Sequence, residues 1–238
     1  MVKHNPKKNK IMERRKKTQT RRIVNLIIVD ESGSMSLIER QALTGLNETL
    51  ATVKRMQDND PSVGQSVTLL TFNSDHTRYV FDNTPARHVH TIGSREYQPS
   101  GATPLYDAIG RGVSKVNAQT SASDVVLVTI ITDGEENCSR EYDLRMVKQL
   151  IEKMKLQRWT FTFIGTDNLD VRRMAHDMAI DNHMEFAEDA EGTQRMFEID
   201  RHARMRFCSQ AVHDERIPEG GYFDGLDDQR PARKRRGK

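Results

Sequence analysis

Four short apolar runs, separated by stretches of helical periodicity, constrain the fold of this 238-residue chain more than any other feature. The runs are rich in β-branched residues and do not alternate with polar ones, which is typical of strands buried on both faces of a sheet. They occupy residues 23–29, 66–72, 124–132 and 159–164. Apolar residues recur at three- and four-residue spacing in the intervening segments, which predicts amphipathic helices. The helical segments are 37–56, 105–116, 140–156, 171–179 and 191–209.

This alternation predicts an α/β fold built from βαβ units, with a doubly wound, mostly parallel sheet that has helices on both faces. Residues 78–81 and 88–92 are predicted to form a hairpin around the turn sequence at 82–85. In parallel sheets of this kind, ligands bind at the carboxyl ends of the strands, near the point where strand order reverses. Two of the predicted strands end in an acid at that edge, Asp30 and Asp133.

Charge is distributed unevenly along the chain. Residues 1–22 carry ten Lys or Arg and one acid, a net charge of +9, and residues 230–238 carry six bases and no acid, whereas the remainder has 21 bases and 33 acids. We therefore expect three parts: a disordered basic tail at 1–22, one folded domain at 23–209, and a flexible basic tail at 210–238.

Several broad classes do not fit the sequence. No run of 18 apolar residues is present, so no transmembrane helix is expected. The basic start leads into a short apolar run that ends at Asp30 without a small-residue cleavage site, which argues against a signal peptide. The two cysteines, Cys138 and Cys208, have no CxxC spacing and fit a reducing compartment. We expect a cytoplasmic protein.

Oxygen-bearing side chains are predicted to meet at the carboxyl edge of the sheet. They come from the sequences DESGSM, SGATPLYD and TDGEEN, and they are Asp30, Ser32, Ser34, Thr103 and Asp133. Two carboxylates and three hydroxyls are hard oxygen donors, which suit Mg²⁺, with Mn²⁺ as an alternative. The sequence therefore predicts a divalent metal site whose shell an acidic partner side chain could complete.

These three motifs, in this order, strongly resemble the von Willebrand factor A domain with its metal-ion-dependent adhesion site. The resemblance spans about 23–209 and implies a Rossmann-like sheet with one short antiparallel edge strand, for which residues 78–81 are the candidate. It also implies that Ser32, Ser34 and Thr103 are hydroxyl ligands, and that Asp30 and Asp133 act directly or through water. All five positions match the family pattern.

Other polar residues near these motifs have simpler interpretations. Glu31, Glu135 and Glu136 are interpreted as solvated loop charges, with a tuning or salt-bridging role as the alternative. His88 and His90 would share one face of an edge strand and could bind a transition metal, but no third ligand is evident.

The leading functional hypothesis is a non-enzymatic adaptor that captures an Asp or Glu of a protein partner through the bound metal. One alternative is an Mg²⁺-dependent phosphohydrolase of the haloacid-dehalogenase type. That motif needs a second Asp two residues after the first, where this chain has Ser32. Another alternative is a nucleic-acid-associated protein whose basic tails neutralise phosphates.

Overall fold

The computed structural model describes residues 22–213 and 221–226, which form a six-stranded sheet with helices on both faces. The strand order is β3-β2-β1-β4-β5-β6, and every neighbouring pair is parallel except β2 and β3. The strands are β1 Arg22–Asp30, β2 Gly64–Phe72, β3 Thr77–Pro85, β4 Val125–Thr132, β5 Trp159–Thr166 and β6 Asn182–Phe186. The predicted mostly parallel, Rossmann-like sheet with one antiparallel edge strand is thus confirmed.

The helices divide into two layers. The first layer contains α1 Glu39–Asn59 and α5 Ala190–His213, and the second contains α2 Leu105–Asn117, α3 Leu144–Lys155 and α4 Val171–Asp177. Each face of the sheet has its own hydrophobic core, and alternate residues of β1 pack into one or the other. Ile27 lies in the core with α1 and α5, whereas Ile28 lies in the core with the other three helices. This two-sided burial explains why β1 is a continuous apolar run.

Strand order reverses between β1 and β4, which are parallel neighbours at the centre of the sheet. The chain proceeds from β1 to β2 on one side, and from β4 to β5 and β6 on the other. A crevice therefore opens between the carboxyl ends of these two strands. Asp30 ends β1 and Asp133 directly follows β4, so both acids border this crevice.

The predicted hairpin between residues 78–81 and 88–92 is wrong. β3 instead pairs antiparallel with β2 through a turn at 73–76, in which the Asn73 side chain accepts hydrogen bonds from the backbone N–H groups of Asp75 and His76. The strand ends at Pro85, which lacks a backbone N–H and leads into a 3-10 turn, Ala86–His88.

His88 and His90 consequently share no strand face. Both are exposed, and the ring of His90 lies edge-on against Phe81. Across 22–213 and 221–226, no three His, Cys, Asp or Glu side chains form a group that could hold a metal. The described residues therefore do not support a transition-metal site at these histidines.

The structure adds two segments that the sequence patterns did not indicate. β6 was not predicted, because only two of its five side chains, Met184 and Phe186, are buried and the segment has no continuous apolar run. α5 continues to His213, and the short segment 221–226 places Tyr222 and Phe223 in the core at 4% and 6% exposure, although residues 210–238 were expected to be flexible. The prediction of disorder for 1–22 lies outside the described residues, except for Arg22 in β1.

No helix among the described residues is long and apolar enough to cross a membrane.

Candidate metal centre

The five predicted ligand residues converge at the crevice between β1 and β4. Three different parts of the chain supply them. Asp30 ends β1, and Ser32 and Ser34 lie at the 3-10 turn Gly33–Leu37 that follows. Thr103 lies in the loop before α2, and Asp133 follows β4.

Asp30 is the most buried member, with 0% exposure. Its Oδ1 accepts a hydrogen bond from the Ser32 backbone N–H at 2.7 Å, and its Oδ2 accepts one from the Thr132 hydroxyl at 2.5 Å. These bonds fix the carboxylate at the end of β1 and curl the following turn around it. The local fold therefore orients the acid before any metal binds.

The hydroxyl groups link the two carboxylates. Ser34 Oγ donates to Asp133 Oδ1 at 2.8 Å and lies 3.2 Å from Ser32 Oγ. A Cβ atom added to Gly134 would lie 2.9 Å from Thr103 Oγ1 and 3.6 Å from Asp30 Oδ2. The Thr103 hydroxyl therefore occupies the same small space as the acids, and Gly134 leaves that space open.

Backbone contacts hold the Thr103 loop in place. The Thr103 N–H donates to Asn137 Oδ1 at 2.9 Å, and the Asn137 N–H donates back to the Thr103 carbonyl at 3.2 Å. The Gly33 N–H donates to the Gly101 carbonyl at 3.0 Å. Gly101 has a φ of +71°, and a Cβ there would lie 2.4 Å from Ser74 Oγ, so a larger residue would strain this loop.

The electrostatics of the cluster favour a cation. Burial raises the pKa of Asp30, against the hydrogen bonds from Thr132 and Ser32. Burial also raises the pKa of Asp133 to about 7, and the neighbouring charge of Asp30 adds to this shift. Asp133 Oδ2 is buried and accepts no hydrogen bond from any described residue. A cation would relieve both the repulsion and the unsatisfied oxygen, so the donor set fits a divalent metal.

Glu31 differs from its interpretation as a solvated loop charge. It is 0% exposed, and its carboxylate accepts hydrogen bonds from Arg78 at 2.6 Å, His76 at 3.0 Å and the Gln98 N–H at 2.5 Å. Its backbone carbonyl accepts from the Ser100 N–H at 2.9 Å. Burial by itself raises the pKa of Glu31, but these hydrogen bonds outweigh it and lower the pKa. Glu31 thereby joins the loops at 73–78 and 97–101 to the end of β1, next to the carboxylate–hydroxyl cluster.

Glu136 is also structural, whereas Glu135 is exposed as expected. The Glu136 carboxylate accepts hydrogen bonds from the backbone N–H groups of Tyr106, Cys138 and Ser139, and from the Ser139 hydroxyl. It therefore ties the loop after β4 to the start of α2. Glu135 is 62% exposed and lies 3.6 Å from Arg173.

Fold and site together define a Rossmann-like α/β domain with a carboxylate–hydroxyl cluster at its switch point. The model of the von Willebrand factor type A domain matches residues 26–199. The chain therefore belongs to this family. No curated protein sequence matches the chain.

Solved structures of other proteins share the fold at low sequence identity. A mutant of the PilB minor pilin from Streptococcus sanguinis is 13% identical with a TM-score of 0.59, over 84% of this chain and 64% of the pilin chain. The SpRpn10 VWA domain is 11% identical with a TM-score of 0.55, over 76% of this chain and 94% of that domain.

A third similar structure holds a metal. Proximal thread matrix protein 1 from the mussel byssus, solved with a zinc-occupied MIDAS motif, is 14% identical with a TM-score of 0.54. The match covers 76% of this chain and 48% of the mussel protein. At these identities the likeness establishes the shared fold alone.

Proposed function

We propose that this chain is a divalent-metal-dependent protein-interaction module. Asp30, Ser32, Ser34, Thr103 and Asp133 would hold Mg²⁺, with Mn²⁺ as a substitute, and a protein partner would contribute an Asp or Glu. One observation carries the proposal: oxygen-bearing side chains from three chain segments converge at one crevice, and a buried carboxylate oxygen of Asp133 among them has no hydrogen-bond partner in the described residues. The mussel protein with zinc in its MIDAS motif supports the same reading of the cluster.

The arrangement of donors suits capture of an external carboxylate. The bound ion supplies an electrophilic position to which an acidic side chain can coordinate. Asp30 and Asp133 are buried, but Ser34 is exposed, so the cluster opens to solvent on the side of the 3-10 turn. Only two carboxylates belong to the cluster, so a third from a partner adds a strong and directional contact.

The hydrolase alternative has less support from the geometry. A phosphohydrolase of the haloacid-dehalogenase type needs a second acid two residues after the first, and Ser32 occupies that position. Glu31, the acid that follows Asp30 in the sequence, is held in its ion pairs with Arg78 and His76. We therefore propose a non-enzymatic, adaptor-type role. The free cysteines Cys138 and Cys208 agree with the reducing, cytoplasmic location that forms part of this proposal.

A capture experiment tests the partner side of the proposal. The full chain, its Asp30→Ala variant and a Ser36→Ala control are immobilised and exposed to cell extract with Mg²⁺ or with a chelator. Ser36 is a suitable control because its hydroxyl lies in the same turn but donates to the Gly33 carbonyl rather than to the cluster. We expect partners that bind wild type and control in Mg²⁺, and that are released by chelator and absent from Asp30→Ala. The proposal would be contradicted if wild type, Asp30→Ala and Ser36→Ala retained the same proteins, both in Mg²⁺ and in chelator.

A further inference from the structure

One loop, residues 92–101, runs beside the turn that follows β1. We call it the support loop. Two backbone hydrogen bonds join it to that turn: the Ser100 N–H donates to the Glu31 carbonyl at 2.9 Å, and the Gly33 N–H donates to the Gly101 carbonyl at 3.0 Å. The position of the support loop is therefore tied to the turn that carries the two predicted serine ligands.

A buried side chain of the support loop, Tyr97, contacts the first predicted ligand directly. Tyr97 is 0% exposed, and its hydroxyl donates to the backbone carbonyl of Asp30 at 2.8 Å. The last residues that pair between β1 and β4 are Val29 and Ile131, so Asp30 lies just past the paired stretch, where the two strands part. The Tyr97 hydroxyl therefore holds the Asp30 backbone beyond the end of that pairing.

Tyr97 is itself held from two sides. Its ring lies in the hydrophobic core on the α1 side of the sheet, together with Met35 and Ile38. At the start of the support loop, the side chain of Asn47 in α1 accepts a hydrogen bond from the Ile92 N–H at 2.8 Å and donates one to the Ile92 carbonyl at 2.9 Å. The core and α1 therefore fix both the ring and the loop that carries it.

The Tyr97 hydroxyl is suited to act as a permanent donor. Burial raises the pKa of Tyr97 well above its usual value of 10, and the negative charges of Asp30, Asp133 and Glu31 raise it further. The hydroxyl therefore keeps its proton at neutral pH, and it can donate to the Asp30 carbonyl whether the two aspartates of the cluster are ionised or protonated.

We propose that Tyr97 is a positioning residue for the metal centre. Its hydroxyl fixes the backbone of Asp30, and the support loop carries this constraint to Thr103, six residues further along the chain. Tyr97 thus sets how the acid from β1 and the hydroxyl from the loop before α2 stand relative to each other. Groups that orient metal ligands typically contribute tenfold or more to metal affinity. This inference rests on the proposed function, because it concerns the ligands named there.

The variant Tyr97→Phe tests this inference, with Tyr222→Phe as its matched control. Both variants remove one hydroxyl that donates a hydrogen bond in the core. Tyr222 is 4% exposed and donates to Asp200 of α5 at 2.9 Å, so its loss affects the packing of α5 rather than the cluster. Electron paramagnetic resonance measures Mn²⁺ binding to each full-length protein, and circular dichroism in chelator measures the melting temperature without metal.

We expect both Phe variants to lower the metal-free melting temperature by about 2–4 °C, because each loses one buried hydrogen bond. Tyr97→Phe should also raise the dissociation constant for Mn²⁺ roughly tenfold, whereas Tyr222→Phe should leave it unchanged. An unchanged dissociation constant in Tyr97→Phe, or an equal rise in Tyr222→Phe, would overturn this inference and leave the proposed function standing. No Mn²⁺ binding by wild type would overturn both.

A second variant, Asn47→Ala, keeps the test decisive if Tyr97→Phe does not fold. Asn47 is only half-buried, and its replacement releases the start of the support loop without changing the tyrosine ring or the cluster. We expect weaker Mn²⁺ binding in this variant as well. Wild-type affinity in a folded Asn47→Ala protein would show that the support loop does not position the ligands, and would overturn the inference.

Discussion

The raised pKa of a single residue, Asp133, should make the proposed metal binding depend on pH. Its pKa is raised to about 7, whereas a metal ligand must be ionised. Protons should therefore compete with Mg²⁺ below pH 7, and the dissociation constant should rise up to about tenfold per pH unit below that point. Titrations between pH 5.5 and 8 would measure this. An affinity that stays constant across that range would contradict the assignment of Asp133.

The same carboxylate should destabilise the metal-free domain at neutral pH. A raised pKa in the folded state means that the stabilising effect of the protonated acid is complete below the usual value of 3.8 and is lost as pH rises through about 7. We predict that Asp133→Asn stabilises the protein by roughly 1–3 kcal/mol at pH 8 in chelator, while abolishing metal binding. Urea unfolding measures the free energy. A variant that is less stable than wild type would contradict this prediction.

Replacement of Glu31 should lower both the unfolding free energy of the protein and its affinity for metal. Replacing it with Ala removes the acceptor shared by Arg78, His76 and the Gln98 N–H, and we expect a loss of roughly 2–4 kcal/mol in unfolding free energy. Because Glu31 holds the loop that carries Thr103, the affinity for Mn²⁺ should also fall by about tenfold. The conservative variant Glu31→Gln should recover part of the lost unfolding free energy and part of the lost Mn²⁺ affinity. Unchanged Mn²⁺ affinity in a folded Glu31→Ala protein would contradict the positioning role.

The residue scale also shows where sequence reasoning succeeded and where it failed. The convergence of the five cluster residues was predictable because strand ends and spaced hydroxyls form a recognisable pattern, and their role as metal ligands stays a prediction. The roles of Glu31 and Asn137 were not predicted, because they depend on contacts with loops about 34 to 67 residues away in sequence. No local pattern separates a buried acid with distant partners from an exposed loop acid.

At the scale of elements, a buried polar network fixes α5 against the sheet. Arg204 is 0% exposed and donates to Asn25 of β1 at 3.0 Å and to Thr129 of β4 at 2.8 Å, and it pairs with Asp200 at 3.1 Å. Tyr222 donates to the other Asp200 oxygen at 2.9 Å. This network explains why a polar residue, Asn25, interrupts the first apolar run.

Removing the positive charge of Arg204 from this network should destabilise the folded protein. Arg204→Ala leaves Asp200 buried without its charge partner, and we predict a loss of about 3–5 kcal/mol in unfolding free energy. The double variant Arg204→Met/Asp200→Leu removes both charges and should recover most of that loss. Denaturant unfolding of the three proteins tests this. If Arg204→Ala were as stable as wild type, this network would not be what holds α5 against the sheet.

The strands that could be predicted from the sequence are those whose side chains are buried along nearly the whole strand. β1, β2, β4 and β5 are buried along nearly their whole length and were found as apolar runs. The partly exposed edge strands were harder to read, since β3 was paired with the wrong segment and β6 was not recognised. Pairing at a sheet edge depends on turn geometry and neighbouring strands, which a single sequence does not display.

At the scale of the whole molecule, the fold brings distant segments to one crevice. Asp30 and Asp133 are about a hundred residues apart in sequence, but Asp30 ends β1 and Asp133 follows the adjacent strand β4, and Thr103 comes close to Gly134 beside them. The cores on the two faces of the sheet hold these strand ends in place, so the cluster is preorganised. We infer that this preorganised cluster binds a divalent cation.

Cation binding by this cluster can be measured by calorimetric titration of Mg²⁺ and Mn²⁺ into the full chain at pH 8. We predict one saturable site per chain in wild type and in the Ser36→Ala control, and no binding in Asp30→Ala, with each variant shown to be folded by its thermal transition. Equal binding by wild type and Asp30→Ala, or no binding by either, would show that the cluster is not a divalent-cation site.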